Sequence, residues 1–122
     1  MKIGITAMGK NLDADVDQRF GRCRYFIIVD TESMDFETLS NENVMASGGA
    51  GVQAAQTIVN KGIEAIITGN VGPNAFQTLS AAGIRIYTGA SGTVREVIEK
   101  YKKGEFKETE NPNVGSHSGM RR

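Results

Sequence analysis

The chain has 122 residues, the usual size of one domain. It carries 14 Lys and Arg residues against 14 Asp and Glu residues, so its formal net charge is zero. This balance argues against a dedicated nucleic-acid-binding protein, because such proteins bind phosphates mainly through an excess of cations. The single cysteine excludes an internal disulfide and fits a reducing compartment.

The beginning of the chain lacks the long apolar core of a signal peptide. No stretch reaches the roughly 20 apolar residues that cross a bilayer. We therefore expect a cytoplasmic protein that does not enter the membrane.

The first third of the chain predicts a meander of strands. Apolar runs predict strands over residues 2–7 and 25–30, separated by a long polar connection over residues 8–24. A weakly amphipathic segment over residues 36–44 is typical of an edge strand, which could pair with another chain. The protein is therefore expected to be a monomer or a weak homo-oligomer.

The next part alternates between helix and strand patterns. The predicted helices cover residues 52–60, 74–82 and 93–101, and the predicted strands cover residues 65–68 and 84–88. Such alternation predicts parallel strands joined by helical crossovers. We therefore predict one α/β domain with a mixed five-stranded sheet over residues 1–103. The polar segment 104–122 is predicted to be a disordered tail.

Four sequence motifs occur in the order typical of one family: FGRCRYF at 20–26, GGAG at 48–51, IITGNVGP at 66–73 and LSAAGIRIY at 79–87. With them the chain resembles the dinitrogenase iron–molybdenum cofactor biosynthesis family, which includes NifX-like and NafY-like proteins and the C-terminal part of NifB proteins. It looks most like a short stand-alone member. The resemblance implies a ribonuclease-H-like fold with sheet order 3-2-1-4-5, strand 2 antiparallel and helices packed on the sheet.

The resemblance also implies a function. Members linked to nitrogenase bind the iron–molybdenum cofactor, or its iron–sulfur precursor, and carry it between assembly proteins. A non-catalytic binding or carrier protein with a transient metal cluster is therefore expected, with cofactor-assembly proteins as partners.

The implied topology gathers the glycine-rich loops at the edge where the parallel strands end. Open α/β sheets bind ligands at this edge, and helix N-termini there offer N–H groups to anions. Three helices begin there, and Arg19 adds positive charge. The predicted binding residues are Arg22, Cys23, Arg24, Gly48, Gly49, Gly51, Gly69, Asn70, Gly72, Gly89 and Gly92.

Two residues are candidate metal ligands. Cys23 is the only thiol, and a thiolate is a good ligand for iron. The neighbouring Arg22 and Arg24 would lower its pKa if it were exposed, although a free cysteine is often a small buried apolar residue. His117 is the only histidine and lies in the tail. The spacing of Asp13, Asp15 and Asp17 does not continue as a calcium-binding EF-hand and leaves at most a looser cation site.

The sequence also bears on two other functions, a nuclease and a regulatory or scaffolding module. Ribonuclease-H-like nucleases place metal-binding carboxylates at the ends of strands 1 and 4, but residues 6–8 and 68–70 contain none. We therefore expect that the protein is not an enzyme. A regulatory or scaffolding module that binds a protein partner or a small anion remains an open alternative.

Overall fold

The computed structural model describes residues 1–41 and 50–112. Their helices and strands, in chain order, are β1 (Lys2–Ala7), β2 (Tyr25–Asp30), β3 (Phe36–Ser40), α1 (Ala50–Val59), β4 (Ala65–Ile67), α2 (Pro73–Ala81), β5 (Arg85–Tyr87) and α3 (Val94–Lys102). Every predicted helix and strand is present, and most bounds move by only one or two residues. The predicted edge strand is confirmed as far as Ser40, and its remainder over residues 42–44 lies outside the described residues.

The five strands form one sheet in the order β3-β2-β1-β4-β5. Strand β2 is antiparallel to both of its neighbours, whereas β4 is parallel to β1 and to β5. The α/β class, the strand order and the orientation of strand 2 are thus confirmed. The ribonuclease-H-like name for this arrangement stays a prediction.

The helices lie on opposite faces of the sheet because successive strand residues point to opposite sides. Ile3 and Ile5 of β1 pack with Val97 of α3 in one apolar cluster. Ile66 of β4 packs with Ala75 of α2 and with residues of α1 in the other. Helices α1 and α2 therefore share one face, and α3 covers the other.

The chain after α3 continues to contact the sheet. The Thr109 N–H donates a hydrogen bond to the Ile86 carbonyl (2.7 Å), and the Thr109 hydroxyl accepts one from the Thr88 N–H (3.1 Å). The Phe106 ring lies 6.4 Å from the Tyr87 ring. The packed part of the chain therefore extends past residue 103 to Thr109, and the tail prediction for residues 113–122 lies outside the described residues.

Within the described ranges, none of the three helices is long and apolar enough to cross a membrane.

Candidate functional site

A cleft of about 340 Å³ lies where the loop before β2, the loop after β4 and the beginnings of α1 and α2 meet. Its lining consists of residues 19–22, residues 51–52, Asn70 and residues 72–75. Because β1, β4 and β5 are parallel, their carboxyl ends lie at this edge of the sheet. The cleft therefore occupies the edge at which open α/β sheets bind ligands.

The beginning of α2 faces the cleft with unused hydrogen-bond donors. Gly72 is the residue before the helix and makes no side-chain cap, and Pro73 has no N–H group to satisfy. The N–H groups of Asn74 and Ala75 have no acceptor in the described part of the chain; the first intrahelical bond runs from the Phe76 N–H to the Gly72 carbonyl. These two donors and the positive end of the helix dipole favour an anion at this point.

Two exposed arginines add positive charge to the opposite wall of the cleft. Arg19 and Arg22 both line the cleft, and 61% of the Arg19 side chain is exposed. The Arg19 Nε atom lies 3.5 Å from a carboxylate oxygen of the buried Asp17. Guanidinium groups bind carboxylates and other oxyanions through paired N–H donors. The donors of the cleft thus include guanidinium and backbone N–H groups.

The arginine-bearing wall is held against the loop that follows β4. The Phe20 N–H donates to the Asn70 carbonyl (3.1 Å), and the Asn70 amide donates to the Gln18 carbonyl (3.1 Å). Gly69 permits this close approach, because a Cβ atom there would lie 2.7 Å from the Gln18 Cα atom. The glycine and the asparagine of this loop therefore shape the cleft, and Asn70 also lines it.

Helix α3 also begins at this edge, but on the other face of the sheet. All four N–H groups of its first turn have acceptors: Thr93 N–H to Glu96 Oε1 (2.9 Å), Val94 N–H to the Ala14 carbonyl (2.9 Å), Arg95 N–H to the Leu12 carbonyl (2.8 Å) and Glu96 N–H to Thr93 Oγ1 (3.1 Å). The expectation that all three helix beginnings would offer donors to a ligand is therefore wrong for α3.

Cys23 lies behind the cleft and does not reach it. Its side chain is fully buried in the apolar cluster that contains Phe20 and Phe26. Burial, followed by the nearby Asp17 carboxylate, raises the pKa of the Cys23 thiol far above its usual range. The condition under which the arginines would lower this pKa, an exposed thiol, is not met. A protonated thiol in this position has no access to a ligand in the cleft.

The predicted binding residues fall into three groups. Arg22, Gly51, Asn70 and Gly72 lie together in the lining of the cleft, as expected. The rest are not in the lining: Cys23, Arg24, Gly69, Gly89 and Gly92. Gly48, Gly49 and His117 lie outside the described residues.

Gly89 and Gly92 have a conformational role in the structure. Their φ angles are +81° and +90°, which L side chains rarely adopt, so glycine is favoured there whether or not a ligand binds. Conversely, Phe20 and Asn74 line the cleft and were not predicted to do so. The position of Pro73 at the first residue of a helix was the signal that could have identified Asn74.

The described residues contain no group of three or more His, Cys, Asp and Glu side chains that could hold a metal ion. The looser cation site considered for the acidic loop finds no support, since Asp17 is buried and Asp13 pairs with Arg95.

The sequence of this chain matches a family model and a known protein. The family model described as dinitrogenase iron-molybdenum cofactor matches residues 1–104. An uncharacterised protein of Methanocaldococcus jannaschii, MJ0580, is 33% identical over 94 residues, which cover 75% of this chain and 80% of that protein.

Two solved structures share the fold along almost the whole chain. The apo form of the orange protein from Desulfovibrio gigas is 39% identical with a TM-score of 0.90, and the match covers 93% of this chain and 96% of that one. A Thermotoga protein named as a candidate NifB protein is 38% identical with a TM-score of 0.78, and the match covers 99% and 97%.

Proposed function

Because the chain belongs to the dinitrogenase iron–molybdenum cofactor family, we propose that it is a cytoplasmic, non-catalytic carrier of an iron–molybdenum or iron–sulfur cofactor or its precursor. The observation that carries this proposal is the cleft itself. It combines Arg19 and Arg22 with the two open N–H groups at the beginning of α2. Metal–sulfur clusters with thiolate or carboxylate ligands are anions, and these donors suit an anion.

The donor set supports one mode of binding over another. A bare iron–sulfur cluster takes several cysteine ligands from its protein, but the described residues that line the cleft include no cysteine, histidine, aspartate or glutamate. A complete cofactor that keeps its own ligands can instead be held by hydrogen bonds and charge. We propose this second mode, with the cofactor as cargo and not as a resident group.

This mode of binding suits a carrier. A carrier that contributed iron–sulfur bonds would have to break them at each transfer, whereas hydrogen bonds to the outer ligands exchange readily with water. The volume of about 340 Å³ falls within the range of roughly 300–1,000 Å³ that is typical of small-molecule sites. Its partners in this proposal are the cofactor-assembly proteins that deliver and receive the cargo.

The proposal does not include catalysis, and the ends of β1 and β4 support that choice. Thr6 and Thr68 occupy these ends, are fully buried, and lie 2.8 Å apart between their hydroxyl oxygens. A nearby carboxylate, that of Asp17, accepts hydrogen bonds from backbone N–H groups. Two-metal phosphoryl chemistry needs several carboxylates around an open site, which the described residues do not offer there.

A second candidate is a regulatory or scaffolding module whose cleft binds a small anion or a protein partner. It is favoured by the same absence of iron-ligating side chains from the described lining of the cleft, since guanidinium and N–H donors serve any oxyanion.

The deciding experiment is anaerobic titration of the purified chain with isolated iron–molybdenum cofactor and, separately, with a thiolate-ligated iron–sulfur cluster. Visible absorption after gel filtration measures uptake, and EPR spectroscopy reports the environment of the metal. We expect uptake of at least one of these complexes near one equivalent, and a changed EPR signal.

The matched control is Cys23→Ala, because the buried thiol is not part of the proposed site. This variant should take up the same amount of cofactor as the unaltered chain. Loss of uptake in a folded Cys23→Ala variant would contradict the mode of binding proposed here. An unaltered chain that stays folded, binds neither complex, and binds molybdate or sulfate would favour the small-anion module instead.

A further inference from the structure

We propose that Asp17 is a positioning residue, which closes the loop of residues 19–22 and so presents its arginines to the cleft. The inference rests on the proposed function, because it concerns how the same cleft is built and controlled. Asp17 itself does not line the cleft, but its carboxylate contacts the lining residue Arg19 from behind. Only 2% of its surface is exposed, which is exceptional for a carboxylate in an irregular loop.

The contacts of the carboxylate span the loop from one end to the other. Oxygen Oδ1 accepts the Arg19 N–H (3.1 Å), and oxygen Oδ2 accepts the Arg24 N–H (3.1 Å). The segment from Arg19 to Arg24 includes all four loop residues that line the cleft, 19–22. One side chain therefore ties together both ends of the segment that forms the arginine-bearing wall.

The backbone of Asp17 is in turn anchored to the end of β1. The Asp17 N–H donates to the Thr6 carbonyl (2.9 Å), and the Thr6 hydroxyl donates to the Asp17 carbonyl (2.7 Å). Thr6 is fully buried in the central strand of the sheet. Asp17 thus connects the wall of the cleft to the central strand of the sheet, which is how a loop can hold binding groups in fixed positions.

Two opposite effects of Asp17 on an anion can be separated. Its negative charge lies 3.5 Å from the Arg19 guanidinium, so removing the charge alone would make the cleft more positive and strengthen anion binding. Removing the two hydrogen bonds would release the wall and weaken anion binding. The positioning role therefore predicts the opposite sign from a purely electrostatic role.

The test is Asp17→Asn in the full chain, with Asp15→Asn as its charge-matched control. The amide keeps one acceptor oxygen but places an NH₂ group against one of the two N–H donors. Asp15 lies in the same connection, its side chain is exposed, and it does not line the cleft. Binding of isolated iron–molybdenum cofactor, followed anaerobically by EPR, should be about tenfold weaker in Asp17→Asn and unchanged or slightly tighter in Asp15→Asn.

Two measurements do not depend on the cofactor. In ¹⁵N NMR spectra of Asp17→Asn, the Arg19 and Arg24 amides should move while the amides of α3 stay in place. In the unaltered chain, both amides should exchange with solvent at least tenfold more slowly than in a free peptide, which tests the closure even if the variant fails to fold. Exchange at the free-peptide rate would overturn the inference.

The failure of this inference differs from the failure of the proposed function. If the unaltered chain binds the cofactor, and Asp17→Asn is folded and binds as tightly or more tightly, the positioning role is wrong and the carrier role stands. If the unaltered chain binds no cofactor while both amides are protected, the carrier role fails and the closed loop remains.

Discussion

The beginnings of α2 and α3 lie at the same edge of the sheet but on opposite faces. They differ in whether their backbone N–H groups find acceptors in the rest of the chain. At α3, a capping box of Thr93 and Glu96 and two carbonyls of the long connection satisfy every N–H group of the first turn. At α2, the preceding Gly72 supplies no side-chain cap, and two N–H groups keep no acceptor among the described residues. A helix N-terminus becomes a binding site only where the surrounding chain leaves it open.

The difference comes from where the long connection between β1 and β2 lies. Its first part, residues 8–16, packs on the beginning of α3 and covers it. Its second part, residues 17–24, is held at the loop after β4 and stands across the cleft from α2. One connection therefore closes the first helix end and builds the opposite wall of the second.

The strongest test of this comparison reverses the charge at each end. We expect the double substitution Arg19→Glu and Arg22→Glu to weaken cofactor binding by at least 100-fold, because two cations of the cleft become anions. The control variant Arg95→Glu, at the beginning of α3, changes the net charge by half as much and should bind within about twofold of the unaltered chain. Anaerobic titration followed by EPR measures both, and circular dichroism checks the fold.

If Arg95→Glu lost half as much binding free energy as the double variant, net charge would decide binding and the cleft would have no special part in it. No loss in a folded double variant would remove the arginines from the site.

A smaller effect, on stability alone, is expected when the cap at the beginning of α3 is removed. Thr93→Ala removes the side chain that caps the Glu96 N–H, which typically costs about 1 kcal/mol of stability. Cofactor affinity should not change, since Thr93 does not line the cleft. Urea unfolding measures the free energy of unfolding, and the same cofactor titration measures affinity. A fall in affinity without a fall in stability would show that the two helix ends are not independent.

The contrast between these helix ends is only partly visible in the sequence. The glycine-rich loops, Pro73 at a helix start and Thr93 three residues before Glu96 each predict a local structure correctly. No local signal predicts that the carbonyls of residues 12 and 14 accept hydrogen bonds from α3, because those bonds join segments about 80 residues apart in the chain. The sequence therefore shows the capping box of α3, but not that its other N–H groups are satisfied as well.

Cys23 shows the same limit for a single side chain. Its neighbours Arg22 and Arg24 are exposed, and the sequence predicts that they would lower the pKa of the thiol if it were exposed too. In the structure the thiol is buried in the same apolar cluster as Phe26, where burial raises its pKa instead. A loop has no periodicity from which the direction of a side chain could be predicted, and this loop is held in place by Asp17 and by the loop after β4. The periodicity of strands and helices is local, and for that reason the sequence predicts their positions closely.

The smallest expected effect comes from giving α2 the cap that it lacks. Gly72 has an extended backbone (φ −83°, ψ 173°), which any residue can adopt and which suits a capping side chain. In Gly72→Asp the carboxylate would accept a hydrogen bond from a free N–H group of the first turn, and its negative charge would interact favourably with the helix dipole. The gain over glycine at this position is typically a few tenths of a kcal/mol. The same carboxylate would occupy the donors that the cofactor needs, and it would repel an anion.

We therefore expect Gly72→Asp to unfold at a slightly higher urea concentration and to bind the cofactor several-fold more weakly. Gly72→Ala is the control, because it adds a Cβ atom without an acceptor. It should lower affinity less than Gly72→Asp and should not raise stability. An aspartate variant that gained stability and kept full affinity would show that the two N–H groups of α2 take no part in binding. An aspartate variant that lost both would show that the backbone at Gly72 tolerates no side chain. The open helix end is a binding feature only if capping it stabilises the chain and weakens binding at once, because the same two donors cannot serve both acceptors.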